Sequence, residues 1–529
     1  MIFYRKISRL NFKSFRNQKI ENEIKILKRR NDLIVEILIT AKDFLFYRVS
    51  SNCIEISNDL RILYNENDKL NPRGVFNNLQ FASTIPPVSL FEEISVFIQG
   101  FRHIIRISDF KIRKEPLWSW SKIDHADRVI SSDRQKIILK EKLDGLIRSY
   151  SAEKQPLLLY SGGLDSNILA QRISKLNLSD PVLVHYAFDL NHNYTLKATS
   201  IAKAFNLPIR IINKGEFDEI DFLNKASNYY KSPVFDPSNM MISSLFNYIS
   251  NEFDPDKYVV LTGDGADSVL FNQAKMDMIR YLNRIPNFLI YGIGSLYGLG
   301  NMYLHPSKLE KYIKMFKRAI HFEFYASRLA QNPLLNIAYY IDSHEAKKSE
   351  KDLENMLTEI YDGERQDVHG ILLNLSDAIK ITTYGIKSIF NSKNFSVAAV
   401  YEDMNFVDFA IQHMMYWPKN KIPKFIFKEM LNEDLPYNLS YIKKTYFSLP
   451  FKEFFGDERF LRVFEEVIEE RHQMGVMLNF NVLKDFYFRC KKQKELPTQS
   501  YVFIWSLVIL HQWLKNLPNV SNRMKSELM

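Results

Sequence analysis

Leu157–Ala170 reads LLLYSGGLDSNILA. A short apolar run enters two glycines flanked by hydroxyl residues, and a helical pattern follows. Gly162 and Gly163 let backbone N–H groups approach an anion closely, and the helix N-terminus adds the positive end of its dipole. Ser161 and Ser166 contribute hydroxyl donors. Yet Asp165 stands where a polyanion would lie. The acid makes sense with a cation between it and the phosphates: Mg²⁺ takes one or two carboxylates and fills its other positions with phosphate oxygens and water. No Gly-Lys-Ser/Thr follows, so this is not a Walker loop and γ-phosphoryl transfer is not indicated.

One carboxylate makes a thin metal site. A second acid-bearing loop, Thr262–Asp267 (TGDGAD), follows the apolar run YVVL and offers Asp264 and Asp267 beside two glycines. Either loop alone reads as an ordinary glycine–aspartate turn. Two of them, each at the end of an expected strand, build a cradle for a metal-bound pyrophosphate instead.

The surrounding pattern supports that placement. Pro156–Tyr160, Pro181–Phe188, Pro208–Ile212 and Tyr258–Leu261 read as fully buried strands, apolar almost throughout. Between them Ile168, Leu169 and Ile173 mark one helical face, and Ala198, Ile201, Ala202 and Phe205 another. Strand–helix alternation implies a doubly wound parallel sheet, with ligands at the carboxyl ends of its strands. Upstream, Asp32–Leu38, Phe44–Val49 and Cys53–Ile56 are short β-branched or aromatic runs broken by polar turns, so the first ~120 residues read as strand-rich. The polar stretch Ser121–Arg134 and an amphipathic helix, Gln135–Tyr150, follow. The expected domains are residues 1–122 and 123–529, and beyond Asn272 the chain reads as mostly helical, from Lys308 onward.

Composition excludes more than it assigns. With 529 residues, 46% hydrophobic and 25% charged, the chain is of ordinary globular type and long enough for two or more cores. Phe288–Leu304 is uncharged but carries four glycines and falls short of the ~20 residues a span needs. Tyr501–Leu514 is interrupted by Ser506, His511 and Gln512. Both read as buried segments, with no membrane span. The net charge of +10 comes from scattered basic residues, which argues against a nucleic-acid partner. Cys53 and Cys490 form neither a disulfide framework nor a metal cluster, and with no signal peptide at the N-terminus the expected location is the cytoplasm.

SGGLDS and the downstream GDGAD resemble the synthetase domain of the asparagine synthetase family, whose members cleave ATP between its α- and β-phosphates to adenylate a carboxylate. The resemblance continues, in order, through Lys231–Asn239, Tyr401–Ala410, Lys424–Leu431, Leu435–Pro450 and Trp505–Leu514. It implies ATP and Mg²⁺, with Asp165 and Asp267 as the metal ligands. The ATP-binding set becomes Tyr160, Ser161, Gly162, Gly163, Asp165, Ser166, Phe188, Thr262, Gly263 and Asp264. Lys444 matches the lysine that neutralises charge on the α-phosphate, a role in which a cation aimed at developing oxyanion charge contributes several kcal/mol. Its bland reading is a solvated member of the Lys443–Lys444 pair. Asp264 is the second catalytic candidate, at a position where asparagine synthetases have a glutamate near the attacking amine.

The N-terminal region resembles the same family's glutamine amidotransferase domain, through Glu55–Leu63 and Phe97–Trp120. In functional members a cysteine directly after the initiator methionine releases ammonia from glutamine. Here that position is Ile2. Cys53 lies inside an expected strand and cannot replace it, so another amine must attack the adenylate. β-Lactam synthetases and lasso-peptide cyclases lack that cysteine and use an amine of the substrate itself. Ser268 and Phe271-Asn272-Gln273 depart from the family's usual glutamate and Gly-Gly-Tyr, and are similar to lasso cyclases. The expected fold is α/β: an inactive, β-rich amidotransferase-like domain, then a doubly wound synthetase domain with a helical extension. The expected activity is ATP-dependent macrolactam formation on a precursor peptide. A leader peptidase and a leader-binding protein are the implied partners. The alternatives are an ammonia-using asparagine synthetase, a β-lactam synthetase-like ligase, a tRNA-modifying enzyme and a non-catalytic peptide-binding scaffold.

Overall fold

The computed structural model describes residues 3–20, 23–81, 83–117, 132–187, 193–216, 218, 220–234, 236–269, 382–413, 424–436, 439, 451–474, 478–494, 496 and 498–528. The N-terminal strands are β1 (Tyr4–Ser8), β2 (Gln18–Ile20), β3 (Ile24–Arg29), β4 (Asp32–Ile37), β5 (Phe46–Val49), β6 (Cys53–Ser57), β7 (Ser95–Val96), β8 (Phe101–Arg106) and β9 (Ile112–Pro116). They form two antiparallel sheets, ordered β1-β6-β5-β7 and β2-β3-β4-β8-β9. Alternation explains the pairing. In β3, Ile24 and Ile26 are buried while Lys25 is exposed, and Ile26 pairs with the buried Val35 of β4. Ile54 and Ile56 of β6 join them in one core with Phe97 and Ile105.

The parallel sheet consists of β10 (Gln155–Leu159), β11 (Val182–Ala187), β12 (Ile209–Asn213), β13 (Tyr258–Thr262) and β14 (Ser396–Ala399). Its order is β12-β11-β10-β13-β14, and every neighbouring pair is parallel. Four strands fall where the sequence places them. Strands β10, β11 and β13 are buried on both faces. By contrast, β12 is an edge strand with Arg210 exposed, which corrects the reading of Pro208–Ile212 as fully buried. Leu157, Val184 and Val260 enter one core cluster, while Leu158, Leu183 and Leu261 enter another. β14 corrects the sequence reading, in which everything beyond Lys308 is mostly helical. Its four residues, SVAA, are too few and too small to show a strand pattern, and pairing with β13 supplies their order.

The chain leaves β10 in one direction, through β11 to β12, and returns to add β13 on the opposite side of β10. This makes the β10–β13 border a topological switch point, where the loops leaving adjacent strands diverge and leave a crevice. Both acid-bearing loops emerge there.

The expected boundary between residues 122 and 123 lies outside the described residues. The secondary structure changes on either side of it, but the cores are not separate. One cluster joins Phe44, Phe76 and Leu79 to Phe222, Tyr230, Trp505 and Trp513. Polar contacts seal the same seam. Arg61 is clamped by Asp59 at 2.7 Å and donates to the carbonyls of Ser227 and Asn228 at 2.7 and 2.8 Å. Asp43 sits between Lys231 (3.6 Å) and Lys387 (3.4 Å). Burial opposes the charge on Asp43, but the two ammonium groups outweigh it and hold the carboxyl well below the usual carboxylate range. The helix Thr498–Leu528 spans the seam: Trp513 Nε1 donates to the Tyr230 carbonyl at 2.9 Å, and Lys525 Nζ donates to that of Tyr64. It contains Tyr501–Leu514, which is buried in the core, and no helix among the described residues is long and apolar enough to cross a membrane.

Candidate active site

The first loop is held open by its own side chains. The Tyr160 ring is buried, and its hydroxyl donates to Asn167 Oδ1 at 2.6 Å. Asn167 Nδ2 returns to the Gly162 carbonyl at 3.0 Å. Gly162 has φ +72, and a Cβ there would lie 2.8 Å from that of Ala198, so only glycine fits the turn. Gly163 begins the helix Leu164–Lys175. Ser161 Oγ accepts from the Gly163 amide at 3.2 Å and lies 3.1 Å from Ser166 Oγ. These contacts leave a short concave turn at a helix N-terminus, where amide donors gather for an anion. Tyr160 acts from beneath as a support.

The second loop closes against the first. A Cβ on Gly263 would come within 3.3 Å of the Ser166 amide. Thr262 is buried; its hydroxyl donates to Asp264 Oδ2 at 2.5 Å and accepts from the Asp264 amide at 3.1 Å. Burial raises the Asp264 carboxyl to about 6, although the Thr262 hydrogen bond opposes the rise. Asp264 is thus turned into its own loop, while Asp267 is exposed at the start of the next helical turn.

Asp165 and Asp267 meet on one cation. Lys424 Nζ forms an ion pair with Asp165 and another with Asp267 at 2.9 Å. The Lys424 side chain is almost fully buried, and its backbone is left-handed, with φ 52 and ψ 39. For a lysine that conformation costs on the order of 1–3 kcal/mol, held by its surroundings. The Tyr401 hydroxyl fixes the other side of Asp165, donating to its carbonyl at 2.9 Å. An ammonium seated against both carboxylates shows that one positive centre reaches both. The pair therefore fits Mg²⁺, which needs one or two carboxylates and takes its remaining oxygens from phosphate and water. Among the described residues no cluster of three or more His, Cys, Asp or Glu side chains is placed to hold a metal ion.

Sequence reasoning missed three members of this site. Lys424 appeared only within a family-like segment. Tyr401 and Glu402 likewise appeared only within the family-like segment Tyr401–Ala410. They follow β14 at the same end of the sheet as the two loops, but SVAA carries no strand pattern of its own to point to them. Glu402 is fully buried, and its Oε1 accepts from Thr383 Oγ1 at 2.6 Å. Its Oε2 has no hydrogen-bond partner among the described residues. Burial pushes its carboxyl up to about 8; Lys42 from the N-terminal region pulls it down and Asp264 pushes it up. Phe188, Lys444 and Phe271-Asn272-Gln273 lie outside the described residues, as do Ile2 and Phe288–Leu304. Cys53 is buried on β6, with Sγ 3.1 Å from Ser50 Oγ, and both cysteines are free thiols.

Three comparisons with known proteins bear on these observations. Residues 140–359 match the model of the asparagine synthase family, a stretch that holds both acid-bearing loops but less than half of the chain. No curated protein matches the chain. A solved structure, that of NMN synthetase from Francisella tularensis, is similar at 17% identity with a TM-score of 0.18. That likeness covers 27% of this chain and 58% of the other, and at such a score it fixes neither shape nor activity. The paired loops at the switch point and the family match agree, and the chain carries an asparagine synthase-like, ATP-dependent synthetase or ligase domain.

Proposed function

We propose that this chain is an AMP-forming macrolactam synthetase of the lasso-cyclase type. It would adenylate an Asp or Glu side chain of a precursor peptide, and the peptide's N-terminal amine would then close an isopeptide ring. The observation that supports this reading most is the convergence of Asp165 and Asp267 on one cation beside the Gly162–Gly163 turn. That arrangement suits a metal-bound pyrophosphate leaving group, and Mg²⁺, when bound, would draw charge from the departing phosphates. The turn's amides would hold the phosphates, and Lys444, by the resemblance, would neutralise charge on the α-phosphate. Ile2 in place of the amidotransferase nucleophile leaves glutamine unused, so the amine comes from the substrate. A tethered amine gains greatly in effective concentration when its geometry is right. A leader peptidase and a leader-binding protein would supply the trimmed peptide in the cytoplasm.

The test supplies leader-free linear peptide, ATP and Mg²⁺, and weighs the product. Loss of one water with a blocked N-terminus, together with AMP and pyrophosphate, supports the assignment. Glutamine should be neither hydrolysed nor required. Release of ADP and phosphate would remove the adenylation reading. Efficient turnover of aspartate with ammonia, and none of peptides, would make the chain an asparagine synthetase.

A further inference from the structure

We infer that Lys424 is an internal counter-ion that keeps the place of a divalent cation while nucleotide is absent, so that metal enters this site only together with ATP. This rests on the reading of Asp165 and Asp267 as metal ligands.

Four observations carry it. The ammonium of Lys424 contacts carboxylates from both loops at once, at the point a shared metal would occupy. Its side chain is 9% exposed, so it reaches them from beneath. Its backbone is left-handed, an arrangement a lysine holds only under constraint from its surroundings, here with its charge delivered to the acids. Tyr401 holds the Asp165 carbonyl and the Gly263 backbone lies close to that of Ser166, so the two loops that carry the acids stay adjacent.

The consequence is competition. Divalent metal arriving alone must displace an ammonium that is already in place and covalently tethered, and Lys424 then loses both partners. Metal arriving with ATP brings a polyanion, which offers the displaced ammonium a new partner in the same crevice. Nucleotide and metal are thereby coupled: each binds better when the other is present. An enzyme built this way avoids filling its phosphate cradle with metal alone.

The experiment measures Mn²⁺ binding to the nucleotide-free full-length chain by electron paramagnetic resonance, with and without α,β-methylene-ATP. Wild type should bind Mn²⁺ weakly alone and at least about tenfold more tightly with the analogue. Lys424→Met and Lys424→Gly, the second of which also relieves the left-handed backbone, should each bind Mn²⁺ alone about tenfold or more tighter than wild type. Lys424→Arg, which keeps the charge, should behave as wild type. Adding Asp165→Asn to Lys424→Met should abolish the gain. Thermal unfolding identifies any variant that has lost its fold, and Lys424→Gly then carries the comparison. Unchanged or weaker Mn²⁺ binding in folded Lys424→Met and Lys424→Gly overturns the inference. If Asp165→Asn alone leaves Mn²⁺ binding with the analogue intact, the assignment of the ligands fails instead.

Discussion

A Cβ placed on Gly265 would stand 2.3 Å from Cγ of Glu402. Gly265 also has φ +85, so the second acid loop bends over the buried glutamate in a conformation that a side chain would strain and a methyl group could not share. The loop carrying Asp264 and Asp267 is thus moulded on a residue from beyond the far edge strand of the sheet.

Gly265→Ala should therefore damage the site more than its size suggests. Positive φ and overlap together should cost about 2–4 kcal/mol, read as a lower urea midpoint, with adenylation falling further than stability. Unchanged ATP–pyrophosphate exchange would show that the loop can re-form away from Glu402.

The Glu402 carboxyl gives a pH signature. Burial raises it from an ordinary 4.5 to about 8 in the folded protein. Between those values the folded state binds the extra proton, so this group's contribution to stability is greatest below about 4.5 and declines as pH rises through about 8. Glu402→Gln, which can still accept the Thr383 hydrogen bond, should flatten that decline. Urea unfolding at several pH values across that window should show the variant gaining on wild type as pH rises. The opposite trend would mean that Lys42 holds Glu402 ionised.

Asp165→Asn and Asp267→Asn should each abolish ATP–pyrophosphate exchange while leaving the fold intact. The residues share one cation position, so the double variant should be hardly worse than either single one. Multiplicative losses would separate their roles.

Arg61→Met tests the seam. It would leave Asp59 buried without its partner and two carbonyls, of Ser227 and Asn228, without their donor. A loss of roughly 3–5 kcal/mol in chemical unfolding is expected. Adding Asp59→Asn should recover part of it, since the stranded charge is then gone.

The two acid loops are legible because their chemistry is local: glycines, acids and hydroxyls lie within six residues of an apolar strand. Strands β10 to β13 are legible for a similar reason, as short, mostly apolar runs. What the sequence hides is made by proximity. Lys424 gains its meaning from two acids that lie far away along the chain, and no local pattern states a lysine's backbone hand. Tyr401 and Glu402 follow a strand of four small residues that takes order only from its neighbour. In the N-terminal region β3 is masked by its charged residues: Lys25 and Arg29 lie on the exposed side of the alternating strand, and Lys28 shares the face of Ile24 and Ile26 at its end. The merged core was not expected either, because Phe44 and Trp505 carry no mark of their mutual membership.

The pairing of β14 with β13 has a cost in time. Val259 pairs with Ser396 and Thr262 with Ala399, so the sheet is closed by residues made long after both acid loops. Contacts of such sequence separation form late and slow folding. Until β14 arrives, β13 is an open edge with unpaired backbone groups, the kind of surface that pairs with another chain. A growing polypeptide that already carries SGGLDS and TGDGAD is thus at its most exposed to aggregation. A fragment ending before Ser396 should accumulate as insoluble protein, however complete its loops.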